Sequence, residues 1–284
     1  MGLLELDPDL FPICCESSEI TGRTADGVPV VGGGGDQAAG AVGTGAVQPG
    51  VISVSLGTSG VVFSALEEPN YDELGAAHTF CHANGKWHAM GVMLSCGGAL
   101  RWYRDMLGRG LEYDEIAQES ARVAVGADGA CFLPYLTGER CPHNDPRARA
   151  GFMGLTLGHG REHLSRAVFE GVSYGLLDCM NLLLGLGAQA DEIRVTGGGA
   201  KGSFWVQMLA DMFGKPCCTL EADEGPAFGA AILAGVGVGV WSDVSTACAS
   251  VVRVKRRIDP SGADYAEGYA RYRELYMNTR DWNR

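Results

Sequence analysis

Three short apolar runs in this chain each end in a dense cluster of glycine. Val28 to Val31 runs into Gly32-Gly33-Gly34-Gly35, Val51 to Leu56 into Gly57-Thr58-Ser59-Gly60, and Glu192 to Thr196 into Gly197-Gly198-Gly199. A brief β-branched run is the signature of a strand, and glycine at its end marks a turn that other residues cannot make. Bare backbone N–H groups at such turns can approach phosphate oxygens closely. The repetition constrains the fold more than anything else in the chain. Glycine contributes 43 of 284 residues, yet with no Gly-X-Y period, which excludes a collagen-like rod.

The pattern between the turns alternates strands and helices. Val28 to Val31 reads as a buried strand, and Asp36 falls where a helix N-cap would lie, ahead of an Ala/Gly-rich stretch. Val51–Leu56 and Val61–Ser64 form a hairpin around the Gly57–Gly60 turn. Residues 91–123 read as helical with a break near Gly108–Gly110, Cys131–Leu136 as a short apolar run, and 137–160 as loop. Leu164, Ala167, Val168, Val172, Leu176, Met180 and Leu183 place one long helix over 161–186. A helix at Ser203–Phe213, a strand at Pro216–Leu220 and a glycine-rich helix at Glu224–Val238 follow. Tyr265, Tyr269, Tyr272 and Tyr276 share one face of a tail helix, a stripe read as packing. Strands, hairpins and helices in this order predict a mixed sheet with helices on its faces.

Composition narrows the function. The formal net charge of −12 argues against nucleic-acid binding, which needs a basic surface, and the run Lys255-Arg256-Arg257 reads as a solvated loop. Met1 to Leu10 carries acids where a secretory leader would be basic. The longest nearly apolar run, Ala230 to Trp241, falls well short of the ~20 residues of a membrane span. Ten cysteines without a CxxC read as reduced thiols in a cytoplasmic protein. His78, Cys81, His82 and His88 invite a zinc reading. Against it stands a hairpin turning at Asn84-Gly85, with Phe80 and Trp87 packed inside; the hairpin is the reading adopted, and no metal ligand is assigned.

Neither GxxxxGK[ST] nor a regularly spaced GxGxxG occurs. By pattern alone, Gly57-Thr58-Ser59-Gly60 is either a phosphate-binding tip or an ordinary hairpin turn. Asp36, reached past four glycines with no side chains, is either a general base or a helix cap. The polar loop from Thr137 to Pro146 either lines a site or braces a corner.

Taken together the motifs resemble a known family. VVGGGGDQAAGAVGTG, SLGTSGVVF, PYLTGERCPHNDP, GHGREHLSRAVFEGVSYGL, VTGGGAKGSFWVQMLADMFG and EGPAFGAAILAG stand in the order found in the FGGY carbohydrate kinases and cover nearly the whole chain. HTFCHANGKWH and PYLTGERCPHNDP look most like the branch acting on D-xylulose. The resemblance implies an α/β actin-like ATPase (ribonuclease H-like) lobe using ATP and Mg²⁺. It implies Asp36 as catalytic base, Gln37 beside it at the sugar, Gly57, Thr58 and Ser59 as a phosphate turn, and Gly198, Gly199, Ala200 and Ser203 as the adenosine turn. Gly202 stands where Ser is common. Family members also carry a first lobe with an Asp-x-Gly-Thr turn, and no such turn stands in these residues. The expected organisation is a linker or first-lobe remnant at 1–27, the actin-like lobe at 28–245, and a tail at 246–284 whose helix would return to the first lobe. A chain of this extent is expected to need a partner lobe for activity, and to be sticky or to form a homodimer through the uncovered face.

Overall fold

Strand alternation decides which residues of this chain are buried, because successive side chains point to opposite faces of a sheet. In Gly50–Leu56, Ile52, Val54 and Leu56 enter the main core, while Val51 faces the other side. The computed structural model describes residues 7–222 and 225–283. Residues 1–6 of the expected linker, and Glu224 at the expected start of the glycine-rich helix, lie outside the described residues.

The chain first forms β1 (Ile20–Arg23) and β2 (Pro29–Val31), then α1 (Asp36–Thr44), β3 (Gly50–Leu56), β4 (Gly60–Leu66), β5 (Ala77–Cys81) and β6 (Trp87–Met93). Helices α2 (Gly97–Met106) and α3 (Tyr113–Ser120) lead to a small hairpin, β7 (Cys131–Leu133) and β8 (Gly151–Met153). Then follow α4 (Arg161–Gly185), β9 (Ala190–Thr196), α5 (Ser203–Phe213), β10 (Cys217–Leu220), α6 (Gly225–Gly237), α7 (Val244–Val251), β11 (Val254–Ile258) and α8 (Ala266–Thr279). Seven strands make one sheet in the order β11-β10-β9-β3-β4-β6-β5. β3, β9 and β10 run parallel, and the remaining pairs are antiparallel. The expected mixed sheet flanked by helices is present.

One face of the sheet packs on α4, with α5 and α8 beside it; Leu176, Trp205 and Tyr272 join Ile52 and Val54 in that core. On the other face, Phe63 of β4 meets Ala41 of α1, and α1 packs in turn on α6 and α7 through Val42, Leu233 and Ala247. α4 is long and apolar enough to cross a membrane by length and composition, but most of it is buried in this fold. The tyrosine stripe packs as expected: Tyr265, Tyr272 and Tyr276 are buried in the main core, against α4 and the β7 segment.

Several local expectations are corrected. β2 is not a buried strand; it pairs only with β1, and Val28 and Val30 are exposed. Pro29 lacks a backbone N–H and so suits a short two-stranded edge ladder rather than a central strand. Asp36 is the first residue of α1, and Gly35 holds the cap position. The segment expected to be helical from 91 begins as strand, since β6 continues its ladder to Met93 before the chain turns into α2. Phe80 is exposed on edge strand β5, whereas Trp87 is partly buried against the core. Lys255-Arg256-Arg257 is not a loop but part of edge strand β11, where charged side chains discourage further pairing. The loop at 137–160 contains β8.

Glycine sets the α1–α6 spacing. A Cβ on Gly229 would run into the Ala39 carbonyl, and one on Gly43 into the Gly225 carbonyl. The two backbones therefore touch where only glycine fits. Gly229→Ala is expected to destabilise the fold by about 1–3 kcal/mol through overpacking. Gly185→Ala, at the open end of α4 with nothing near its Cβ, should instead stabilise by about 0.4–1 kcal/mol through the unfolded state. Urea unfolding midpoints of the two variants check the opposite signs.

Candidate active site

β3 and β9 are parallel neighbours, with Ser55 opposite Thr196. Their carboxyl ends therefore emerge at the same edge, each followed by a glycine turn. This is the place where open α/β sheets hold ligands.

The turn after β3 is fastened through its carbonyls. Gly57 O accepts from Gly97 N at 2.8 Å, and Thr58 O accepts from Cys96 N at 2.9 Å and Gly98 N at 3.0 Å. That approach requires glycine in the first turn of α2, because a Cβ on Gly97 would sit 2.7 Å from Gly57 O. The side chains of Thr58 and Ser59 remain exposed. Ser59 Oγ donates to Leu94 O at 3.4 Å.

The turn after β9 lies flat on the end of β3. Gly197 adopts φ 84°, and a Cβ on Gly199 would meet Trp205 at 2.7 Å and Leu56 at 2.8 Å. Trp205 is buried, and its Nε1 donates to Ser173 Oγ on α4 at 2.9 Å.

Between the turns opens a cleft of about 610 Å³, within the range of small-molecule sites. Gly57, Thr58, Gly198 and Gly199 line it together, with Leu100 and Arg101 of α2, Glu112, Tyr113 and Asp114 at the start of α3, and Trp205. Ser59 stands at the turn without lining the cleft. Ala200 is buried behind its turn, and Ser203, the first residue of α5, lines a different groove with Arg256 and Tyr265. Asp36 and Gln37 line a smaller cavity of about 90 Å³ with Ser53, Ser55 and Thr196. The Asp36 side chain is exposed, and its Oδ1 accepts from Gln37 N at 2.8 Å. The structure thus gathers four of the predicted residues into one cleft and sets Asp36 and Gln37 in a second cavity at the same sheet edge.

The α3 residues of the cleft were missed by sequence reasoning. Glu115 Oε2 accepts from Glu112 N at 2.8 Å at the start of α3, and the acids of Glu112-Tyr113-Asp114-Glu115 were available as a helix-start signal. Nothing in one sequence says that this helix start faces the two glycine turns.

The polar loop of 137–146 packs behind the site. Among the described residues it lines neither cavity. Glu139 is buried, and burial pushes its carboxyl up to about 8. Its Oε1 accepts from Leu94 N at 2.9 Å and Arg140 N at 2.8 Å. His143 stacks on Tyr276 at 3.6 Å between ring centroids, and its Nε2 meets the Tyr135 hydroxyl at 3.0 Å. In the β5–β6 hairpin, His82 Nε2 lies 3.2 Å from Ala46 O, and His88 stacks on Phe63. Among the described residues, no group of three or more His, Cys, Asp or Glu side chains could hold a metal ion.

A mixed sheet whose parallel strands end in two glycine turns around one cleft is a lobe of the actin-like ATPase fold. Residues 52–238 match the model of the FGGY family of carbohydrate kinases, C-terminal domain, and the chain belongs to that family. It is 42% identical over 243 residues to the xylulose kinase of Escherichia coli (strain K12), which covers 82% of this chain and 50% of that protein. It is 32% identical over 242 residues to the gluconokinase of Bacillus subtilis (strain 168), covering 79% of this chain and 46% of that one. Among solved structures, the xyloylose kinase of Brucella ovis superposes with a TM-score of 0.91 at 35% identity, over 99% of this chain and 60% of that chain. The chain spans about half the length of the curated relatives it matches.

The loop makes a testable demand on acid stability. Burial lowers the His143 pKa from 6.5 to about 4 and does the same to His88. Folding therefore keeps both rings neutral, and below their ordinary pKa protons favour the unfolded chain. The part of the stability due to these two rings is fully present above pH 6.5 and is lost as pH falls through about 4. The raised carboxyls of Glu139 and Asp178 act in the opposite sense over the same range, so the check is a difference: by urea midpoints, wild type should lose stability relative to His143→Gln as pH falls from 7.5 to 4.

Proposed function

We propose that this chain is the nucleotide-binding, base-bearing lobe of an ATP-dependent sugar kinase that phosphorylates D-xylulose on its 5-hydroxyl, giving D-xylulose 5-phosphate and ADP. The observation that supports it most is the convergence of Gly57, Thr58, Gly198 and Gly199 on one cleft, with Asp36 at the same sheet edge. The similarity to xylulose kinases supports the choice of sugar.

The residues fit a nucleotide. The Gly198–Gly199 turn offers close backbone approach beside an apolar wall of Leu100 and Trp205, suited to adenosine. The Gly57–Ser59 turn offers hydroxyls and N–H groups for phosphate oxygens, its carbonyls being occupied by α2. With no preformed ligand cluster among the described residues, Mg²⁺ would be held mainly by phosphate oxygens and water, as this ion prefers. When bound, MgATP supplies the phosphoryl group and offsets charge on it.

Asp36 takes the proton of the sugar 5-hydroxyl as that oxygen bonds to the γ-phosphorus and the bond to ADP breaks. Gln37, beside it in the same cavity, orients the sugar. Phosphoryl transfer needs groups on both sides of the phosphate and exclusion of water. This lobe supplies one side, and a partner lobe carrying the Asp-x-Gly-Thr turn supplies the other. The exposed apolar residues Leu10, Phe11, Ile13 and Val30 are the surface proposed to meet that lobe.

In a kinase completed by that lobe, Asp36→Ala should lower kcat by at least about 10²-fold while leaving ATP affinity unchanged. A coupled ADP-release assay with D-xylulose checks it; turnover within a few-fold of wild type would refute the base assignment. The 32% identity to a gluconokinase supports a second reading, another sugar of the family. A panel of ketoses, gluconate and glycerol separates the two.

A further inference from the structure

One carboxylate in the core serves neither cavity and, among the described residues, has no ion-pair partner. Glu139 is 2% exposed. Its Oε1 accepts both Leu94 N and Arg140 N, while Oε2 has no hydrogen-bond partner. Leu94 is the residue at which the chain leaves β6 and heads into α2. The same residue accepts the Ser59 hydroxyl at its carbonyl. Two residues further on, Cys96 N and the N–H groups of Gly97 and Gly98 hold the carbonyls of Thr58 and Gly57. Glu139 thus grips the Leu94 N–H, and everything fastened to the underside of the Gly57–Ser59 turn follows from where that residue lies.

The grip is itself braced. Glu139 N donates to Asp145 O at 2.9 Å, and Asp145 N donates back to Glu139 O at 2.8 Å. Cys141 N ties the next stretch of the loop to Val92 O of β6 at 3.2 Å. The carboxylate is therefore built into a rigid corner and does not hang on a mobile loop.

Resting on the nucleotide reading above, we propose that Glu139 is the positioning residue of the phosphate turn, setting Thr58 and Ser59 for the phosphate chain of a nucleoside di- or triphosphate through the Leu94 backbone. It touches no substrate. Burial favours the neutral acid at neutral pH, so the corner adds no negative charge behind a turn meant for anions. The charged groups facing it act in both directions, and burial outweighs them. Arg140 favours the charged form and Asp178 of α4 opposes it. Cys96, Tyr135 and Tyr272 are pushed up by burial, and Cys179 by its hydrogen bond with Cys141 and then by burial, so all four stay neutral. Above pH 8 the carboxyl ionises with one oxygen unpartnered, and the turn then has an uncompensated charge beneath it.

The test is isothermal titration of the whole 284-residue chain with ADP and, separately, adenosine. Wild type should prefer ADP. Glu139→Ala should lose about tenfold in ADP affinity, the worth of a buried hydrogen bond, with adenosine affinity unaltered. Glu139→Gln, which keeps an acceptor for Leu94 N and carries no charge, should restore it. ADP affinity of wild type should decline above pH 8, and that of Glu139→Gln should not. A Glu139→Ala chain that is folded by circular dichroism yet keeps its ADP preference overturns the proposal. So does a Glu139→Gln chain with the wild-type pH profile, which stays informative if the alanine variant fails to fold. Wild type binding neither ligand would overturn the nucleotide reading and this inference with it.

Discussion

The parallel pairing of β3 with β9 is the constraint on which the site depends. Parallel strands end at the same edge, so the turns at Gly57 and Gly197 emerge side by side. Had the two strands run antiparallel, the seven residues of β3 would separate those turns by about 23 Å. No cleft would then include both. The pairing also explains the shape of the turns: Gly199 lies on Leu56 because nothing larger fits between adjacent strand ends.

A parallel pair needs a crossover, and here it is long. Between β3 and β9 the chain makes three further sheet strands, α2, α3, a small hairpin and α4. What holds that excursion against the sheet is α4, and its contacts are not purely apolar. Arg166 Nε meets Glu170 Oε1 at 2.6 Å with both side chains buried, Gly126 N donates to the same carboxylate oxygen at 3.0 Å, and Arg166 Nη2 donates to the Tyr265 hydroxyl at 2.9 Å. A buried ion pair adds little net stability, yet breaking one by removing a partner leaves an uncompensated charge. Its effect is to admit one arrangement of α4 and the start of α8. The tyrosines of α8 then close over Tyr135, which leads into the loop that carries Glu139. The tail is tied into the same core as the glycine turns.

Much of this was legible in the sequence. The hairpin at 50–66, α4, α5, β9 and the tyrosine stripe follow from periodicity, because each buries one face and periodicity records burial. The grouping of Gly57 and Thr58 with Gly198 and Gly199 came from the family resemblance. What sequence could not supply was set by contacts distant along the chain. Phe80 and Trp87 share one hairpin, but only the edge position of β5 leaves Phe80 in solvent. Pro29 suits β2 to a sheet edge, whereas the valines around it carry the pattern of a buried strand. Glu139 stood in a plainly polar loop, and polarity concealed that its carboxyl is among the most buried polar groups in the chain. Ser203 and Ala200 sit in the predicted turn, but the helical step into α5 turns Ser203 toward β11 and Ala200 into the core.

The two cavities lie on opposite faces of one sheet edge, and alternation along β3 and β9 produces that split. Ser55 and Thr196 face α1 and help line the cavity with Asp36; one residue on, Leu56 faces the other way and lines the cleft with Gly198. A single peptide step therefore separates a residue that lines the Asp36 cavity from one that lines the proposed nucleotide cleft. In the proposed reaction the phosphoryl group must cross that edge, so nucleotide and sugar approach from opposite faces and meet where the sheet ends. Gly33 and Gly35, just ahead of Asp36, border open space. In that proposed reaction the strand ends would set how close the two ligands come, and the close approach of Gly199 to Leu56 keeps the edge between them thin.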